Sequence, residues 1–128
     1  IKFFMLRSDA HRDIIFNPDE SLSFEGETGP YVQYTHARAC SILRKAENIK
    51  GKANLSRLEN QSEQNIIAFL MKFPELVDDV ATHYRPHVLC HYLIELAQAF
   101  NEFYHSSPVI SEDHELMKAR LLCYGHYF

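Results

Sequence analysis

The 128-residue sequence has no apolar run near the roughly eighteen residues that a membrane helix needs, so no membrane partner is expected. It has only three cysteines, Cys40, Cys90 and Cys123, far apart and odd in number. That excludes a disulfide framework and a Cys-x-x-Cys metal site, and suits reduced buried thiols in a cytoplasmic protein. It lacks an excess of basic charge: the net charge is −4, which argues against a strongly basic nucleic-acid binder. No G-x-S-x-G, P-loop or G-x-G-x-x-G stretch occurs, nor any internal repeat or strand-type alternation of useful length. The sequence does not begin with Met, and Ile-Lys-Phe-Phe-Met-Leu is too short and too soon charged for a signal peptide. We therefore expect an excised piece of something longer.

Histidine is plentiful, with eight residues, and His83, His87 and His91 recur every fourth position. Pro86 interrupts the helix between the first two, and no acid or cysteine completes a tetrahedral set. His87 and His91 enclose Val88, Leu89 and Cys90, without the Glu of the zincin pattern. Cys90 and His91 are helix neighbours pointing about 100° apart, so they cannot act as a nucleophile and its base. Asp78-Asp79 and Glu112-Asp113 fit solvent and helix ends. The expectation is no catalytic residue, no metal and no cofactor within this chain.

What is present is a core: 46% of residues are hydrophobic, with nine Phe and seven Tyr, enough for one domain. The periodicity predicts an all-α bundle of four to six helices. Residues 1–9 are short but helix-compatible, and 10–27 read as an extended linker. A long helix is predicted over 29–46, with Thr28 as cap and Pro30 in the first turn. A loop follows over 47–60. A second helix over 61–72 is expected to break at Phe73-Pro74 and resume as a short third. Arg85-Pro86 breaks again, a fourth helix runs over 86–105, and Ser111 caps a fifth.

The 29–46 helix carries two stripes. Val32, Thr35, Ala39, Ile42, Leu43 and Ala46 form a core face. Tyr31, Tyr34, Arg38, Ser41 and Lys45 form a mixed face of phenols, a hydroxyl and cations. Aromatic rings interleaved with cations suit unpaired RNA bases and their phosphates. Charge supports this locally: residues 31–57 hold Arg38, Arg44, Lys45, Lys50, Lys52 and Arg57 against Glu47, a net +5. Phe103 reads as core. Tyr104 is either half-buried packing or a member of the same surface, if the first and fourth predicted helices touch.

Three stretches carry a resemblance. G-E-T-G-P-Y-V-Q-Y-T-H-A-R-A-C-S-I-L-R-K is similar to the start of the anticodon-binding domain of arginyl-tRNA synthetases, a class I family. R-P-H-V-L-C-H-Y-L-I-E-L-A-Q-A-F-N-E-F-Y-H, residues 85–105, resembles a later helix of that domain, and I-K-F-F-M-L-R-S-D-A the segment where the family's catalytic domain runs out. The resemblance implies that residues 1–27 end the catalytic region and form a linker, and that 28–128 are the helical anticodon-binding domain. It implies a parent that joins arginine to tRNA using ATP with Mg, in a catalytic domain of the same chain. The family's His-Ile-Gly-His-like and Lys-Met-Ser-Lys-like signatures are not found here. Tyr31, Tyr34 and Arg38 match the positions that face the anticodon stem-loop, while Ser41 and Lys45 extend them by spacing alone.

The family pattern continues beyond Arg120-Leu121-Leu122, where this chain stops soon after, so truncation or divergence is expected at the C-terminus. Leu121, Leu122, Cys123, Tyr124, Tyr127 and Phe128 then form an apolar cluster with nothing to cover it. Self-association is the expected relief, rather than cover by Phe3-Phe4-Met5-Leu6, which the resemblance places against the catalytic domain. Two alternatives stand beside this reading: a helical protein–protein interaction domain with Tyr31 and Tyr34 as hot spots, or the bundle of another class I synthetase, such as that for cysteine. The Gly-Pro-Tyr…Gln-Tyr…Ala-Arg pattern speaks against both.

Overall fold

The computed structural model describes residues 1–46, 53–109, 111 and 113–125. Its helices are α1 (Lys2–Leu6), α2 (Pro18–Leu22), α3 (Gly29–Lys45), α4 (Gln61–His83), α5 (Pro86–Ser106) and α6 (His114–Gly125), with a 3-10 turn at Leu55–Arg57. No strand occurs among the described residues. None of these helices is long and apolar enough to cross a membrane.

Helix α3 begins as its sequence dictates. Thr28 is extended, its Oγ1 accepts the Tyr31 amide at 3.1 Å, and Pro30 sits in the first turn. Fully buried Ala39 presents only a methyl to the core and Thr35 is sealed beside it, while Val32, Ile42, Leu43 and Ala46 are half-buried. This face lies on α5 and α6. Helix α4 opens with a capping box: Asn60 accepts from the first turn, and Glu63 Oε2 accepts the Asn60 amide at 3.0 Å.

The expected break at Pro74 does not occur; α4 runs unbroken from Gln61 to His83. Proline removes one helix bond and costs about 3 kcal/mol in isolation. Tertiary packing outweighs that, because α4 lies against α5 along the largest interface in the fold. Tyr92 of α5 sits between the Phe69 and Phe73 rings, at 6.2 and 5.9 Å, and its hydroxyl donates to the Phe69 carbonyl at 2.8 Å, just upstream of the proline. The break at Arg85-Pro86 is real. Tyr84 ends α4 in the left-handed conformation (φ 54°) with its side chain 89% exposed.

Two further expectations change. Residues 10–27 include α2, capped by Asn17, whose Oδ1 accepts from the amides of Asp19 and Glu20. Asp113, rather than Ser111, caps α6: its Oδ1 accepts the amides of Glu115 and Leu116 at 3.0 and 3.1 Å. Ser111 Oγ accepts the Asp113 amide one step earlier. Of the predicted 47–60 loop, residues 47–52 lie outside the described residues, and 53–60 are irregular apart from the 3-10 turn, which Asn54 caps.

The apolar cluster at the C-terminal end is covered. Leu121, Cys123 and Tyr124 are buried and Leu122 is half-buried, while Tyr127 and Phe128 lie outside the described residues. Tyr124 packs on Phe100 and Phe103, with ring centroids 5.0 and 5.3 Å away, because α6 folds back across α3 and α4. The argument for self-association therefore loses its ground at these positions. Burial pushes the Cys123 thiol up to about 11, with the Glu63 carboxylate adding to the effect, and also raises Cys90, which disfavours the thiolate at both. Nor are residues 1–9 orphaned: α1 lies on α5, Phe4 is buried against Phe16, and Phe3 packs on Gly29. A Cβ at Gly29 would stand 3.1 Å from Phe3 Cβ, so the glycine permits that approach.

Candidate nucleic-acid interface

The mixed face of α3 meets α5 around one guanidinium. Arg38 Nη1 donates to Asn101 Oδ1 at 3.0 Å, and Nη2 donates to the Tyr34 hydroxyl at 3.1 Å. The same guanidinium lies 4.9 Å from the Tyr34 ring centroid and 5.1 Å from that of Tyr104. Both distances fall within cation–π range. Asn101 also donates through Nδ2 to the Tyr31 hydroxyl at 2.9 Å. Helices α3 and α5 thus contribute alternately to one network.

Its members differ in what they leave open. Tyr34 is 51% exposed and Tyr104 38% exposed, so each ring offers a face or edge to solvent. Tyr31 is half-buried with its hydroxyl occupied, and it holds Asn101 in place. Phe24, 67% exposed, meets Tyr34 edge-on at 6.4 Å and extends the aromatic row beyond the start of α3. Ser41 is half-buried on the next turn, and Lys45 is exposed.

Beyond Tyr104 the row opens into a groove of about 360 Å³, lined by Ile42, Lys45, Tyr104, His105, Pro108 and Val109. It has apolar walls, an aromatic side and a lysine at its rim, a shape and chemistry that suit a planar base with a phosphate beside it. The basic stretch reaches it only in part. Lys45 lines it, Arg38 reaches only the Tyr104 ring at its side, Arg44 is exposed, Lys50 and Lys52 lie outside the described residues, and Arg57 pairs with Asp113.

The structure therefore joins Tyr31, Tyr34 and Arg38 in one network and puts Lys45 at the adjoining groove. The condition set for Tyr104 is met, since α3 and α5 are neighbours. Asn101 and Phe24 are members that the sequence does not single out. Asn101, one turn before Tyr104, is one of several polar residues on α5, beside Glu95, Gln98 and Glu102, so nothing local marks it. Phe24 lies in the stretch that reads as a linker.

His87 and His91 serve elsewhere. His91 Nε2 lies 3.0 Å from the Arg7 carbonyl, so that nitrogen carries the proton, and His87 Nε2 stands 3.6 Å from Asp9 Oδ2. They fasten the N-terminal segment to α5. Among the described residues, no group of three or more His, Cys, Asp or Glu is arranged to hold a metal ion.

Comparisons with known proteins show the family and the fold. The family pattern of the DALR anticodon binding domain matches residues 32–125. The arginine–tRNA ligase of Alkaliphilus metalliredigens is 45% identical over 122 residues, covering 94% of this chain and 22% of that relative. That of Pyrococcus abyssi is 40% identical over 126 residues, covering 95% of this chain and 20% of the relative. The solved arginyl-tRNA synthetase of Thermus thermophilus superposes with a TM-score of 0.89 at 39% identity, over 96% of this chain and 22% of that one. The chain thus spans about a fifth of the length of the proteins it matches. With the pattern running from the first turn of α3 to the last residue of α6, the chain belongs to the DALR anticodon binding domain family, in the form found in arginyl-tRNA synthetases.

Proposed function

We propose that this chain is the anticodon-binding module of an arginine–tRNA ligase and that it grips the anticodon stem-loop of arginine tRNAs on the α3–α5 face. Tyr34 and Tyr104 take bases, Arg38 and Lys45 meet phosphates or base edges, and Tyr31 and Ser41 support them. The catalytic domain of the parent, outside these residues, carries out ATP- and Mg-dependent arginylation in the cytoplasm; this module holds the tRNA so that its acceptor end reaches that site. Residues 1–27 link the two, and 28–128 form the module.

The observation that carries this reading is Arg38 held against two partly exposed tyrosines, one of which, Tyr104, lines an apolar groove. A helical protein–protein interface would use the tyrosines as buried anchors and has no need of a cation fixed between them. The test is binding of an arginine-tRNA anticodon stem-loop to the 128-residue chain across a salt series. We expect Arg38→Ala to weaken binding about tenfold and to lower the salt slope by about one. Unchanged affinity and slope would remove this face as the RNA site.

A further inference from the structure

We propose that the ion pair between buried Glu63 and partly buried Arg120 is a positioning device that sets the wall of the groove beside Tyr104, and through it the choice of base. The inference rests on the reading of that groove as a nucleotide pocket. The wall in question is Pro108-Val109, in the connection between α5 and α6. Arg120 Nη1 donates to the Pro108 carbonyl at 2.5 Å, and Arg120 Nε donates to Glu63 Oε1 at 2.7 Å. Glu63 is 1% exposed, and its other oxygen closes the capping box at Asn60. Asn60 Nδ2 in turn donates to Ser107 Oγ at 3.3 Å, and Ser62 Oγ meets Ser106 Oγ at 2.6 Å. The end of α5 and the start of the connection are thus pinned at three successive residues, Ser106, Ser107 and Pro108, by the cap and first turn of α4 and by α6.

Stability alone is a poor explanation for the pair. Desolvating a carboxylate and a guanidinium offsets most of their attraction, and apolar replacements of similar volume often do as well or better. What an ion pair with a forked partner supplies is a fixed distance and direction. Here one fork bridges α4 and a carbonyl of the groove wall. A wall so fixed discriminates by shape, because a base of the wrong size cannot push it back. Arg120 and Glu63 touch no nucleotide and act through Pro108.

The test compares the 128-residue chain with Arg120→Lys, which keeps a cation opposite Glu63 but replaces the fork by a single compact ammonium. The probes are an arginine-tRNA anticodon stem-loop and versions with single loop bases exchanged. We expect an unchanged salt slope, a fivefold to tenfold loss of affinity (the order reached by residues that act through others) and a smaller spread among the exchanged loops. The loss should vanish in a Tyr104→Ala background, since the wall then has no ring to close against. If Arg120→Lys does not fold, Glu63→Gln with Arg120→Met keeps the capping box and takes its place. An equal loss with and without Tyr104, no loss, or failure of both variants to fold would overturn the proposal and leave the pair a stabilising contact. Arg38→Ala is the control for the underlying reading: if it too binds as wild type, the face itself is wrong, and not only the pair.

Discussion

Arg38 of α3 stands over the ring of Tyr104 of α5, with the guanidinium carbon 5.1 Å from the ring centroid. On the proposed reading the two would contribute differently to RNA, so their loss should be separable. Tyr104→Ala removes a stacking surface worth about 1–3 kcal/mol per base and should weaken stem-loop binding with little change in salt slope. Arg38→Ala should flatten the slope as well. Titrations at several salt concentrations distinguish the two; a flattened slope for Tyr104→Ala would mean that the ring acts mainly by holding Arg38.

Tyr124 is fully buried, and among the described residues its hydroxyl has no hydrogen-bond partner. Burial pushes its phenol well above the ordinary tyrosine range. Leaving such a group unpaired costs about 1–3 kcal/mol. Tyr124→Phe keeps the ring contacts with Phe100 and Phe103 and drops the orphaned oxygen. We expect the thermal midpoint to rise by about 4 °C, as read by circular dichroism; a fall would show that the hydroxyl is paired in solution.

The cap of α6 makes stability fall in acid. The Leu116 amide foremost, with Arg57 nearby, holds the Asp113 carboxyl below its ordinary value of 3.8. Its contribution is complete above the unfolded pKa and is lost as pH falls through the lower, folded value. Urea unfolding should be insensitive to this group from pH 7 to about 5 and weaken below about 4. Asp113→Asn keeps a capping oxygen without the charge, so its curve should fall less steeply over that range.

Tyr84 occupies the left-handed region, which costs a non-glycine residue about 1–2 kcal/mol. Its ring is almost wholly in solvent and contributes little to the core. Tyr84→Gly should therefore stabilise the chain by up to about 1 kcal/mol in urea unfolding. Destabilisation would mean that the ring packs more than its exposure indicates.

Local signals were legible where local physics decides. Thr28, Pro30, Arg85 and Pro86 placed the ends of α3, α4 and α5 correctly, since caps and proline sterics act within a turn. The all-α class and the α3 stripe followed from periodicity. What failed needed knowledge of a neighbour. Pro74 reads as a breaker until Tyr92 is known to lie across it. Leu121 and Tyr124 read as orphaned until α6 is known to fold back over Phe100 and Phe103. In the candidate site, Tyr34, Arg38 and Lys45 were visible on one helix. Asn101 was not, because its role exists only where α3 and α5 meet.

Asn101 and the two tyrosines leave Arg38 little room to move. An arginine side chain loses about 2 kcal/mol of rotamer freedom when it is fixed, and here that loss falls during folding. If this face takes the anticodon loop as proposed, the loop meets a guanidinium that is already held and need not be ordered again. More of each contact then appears as affinity, and a nucleotide that fits badly finds no spare motion in the arginine to accommodate it.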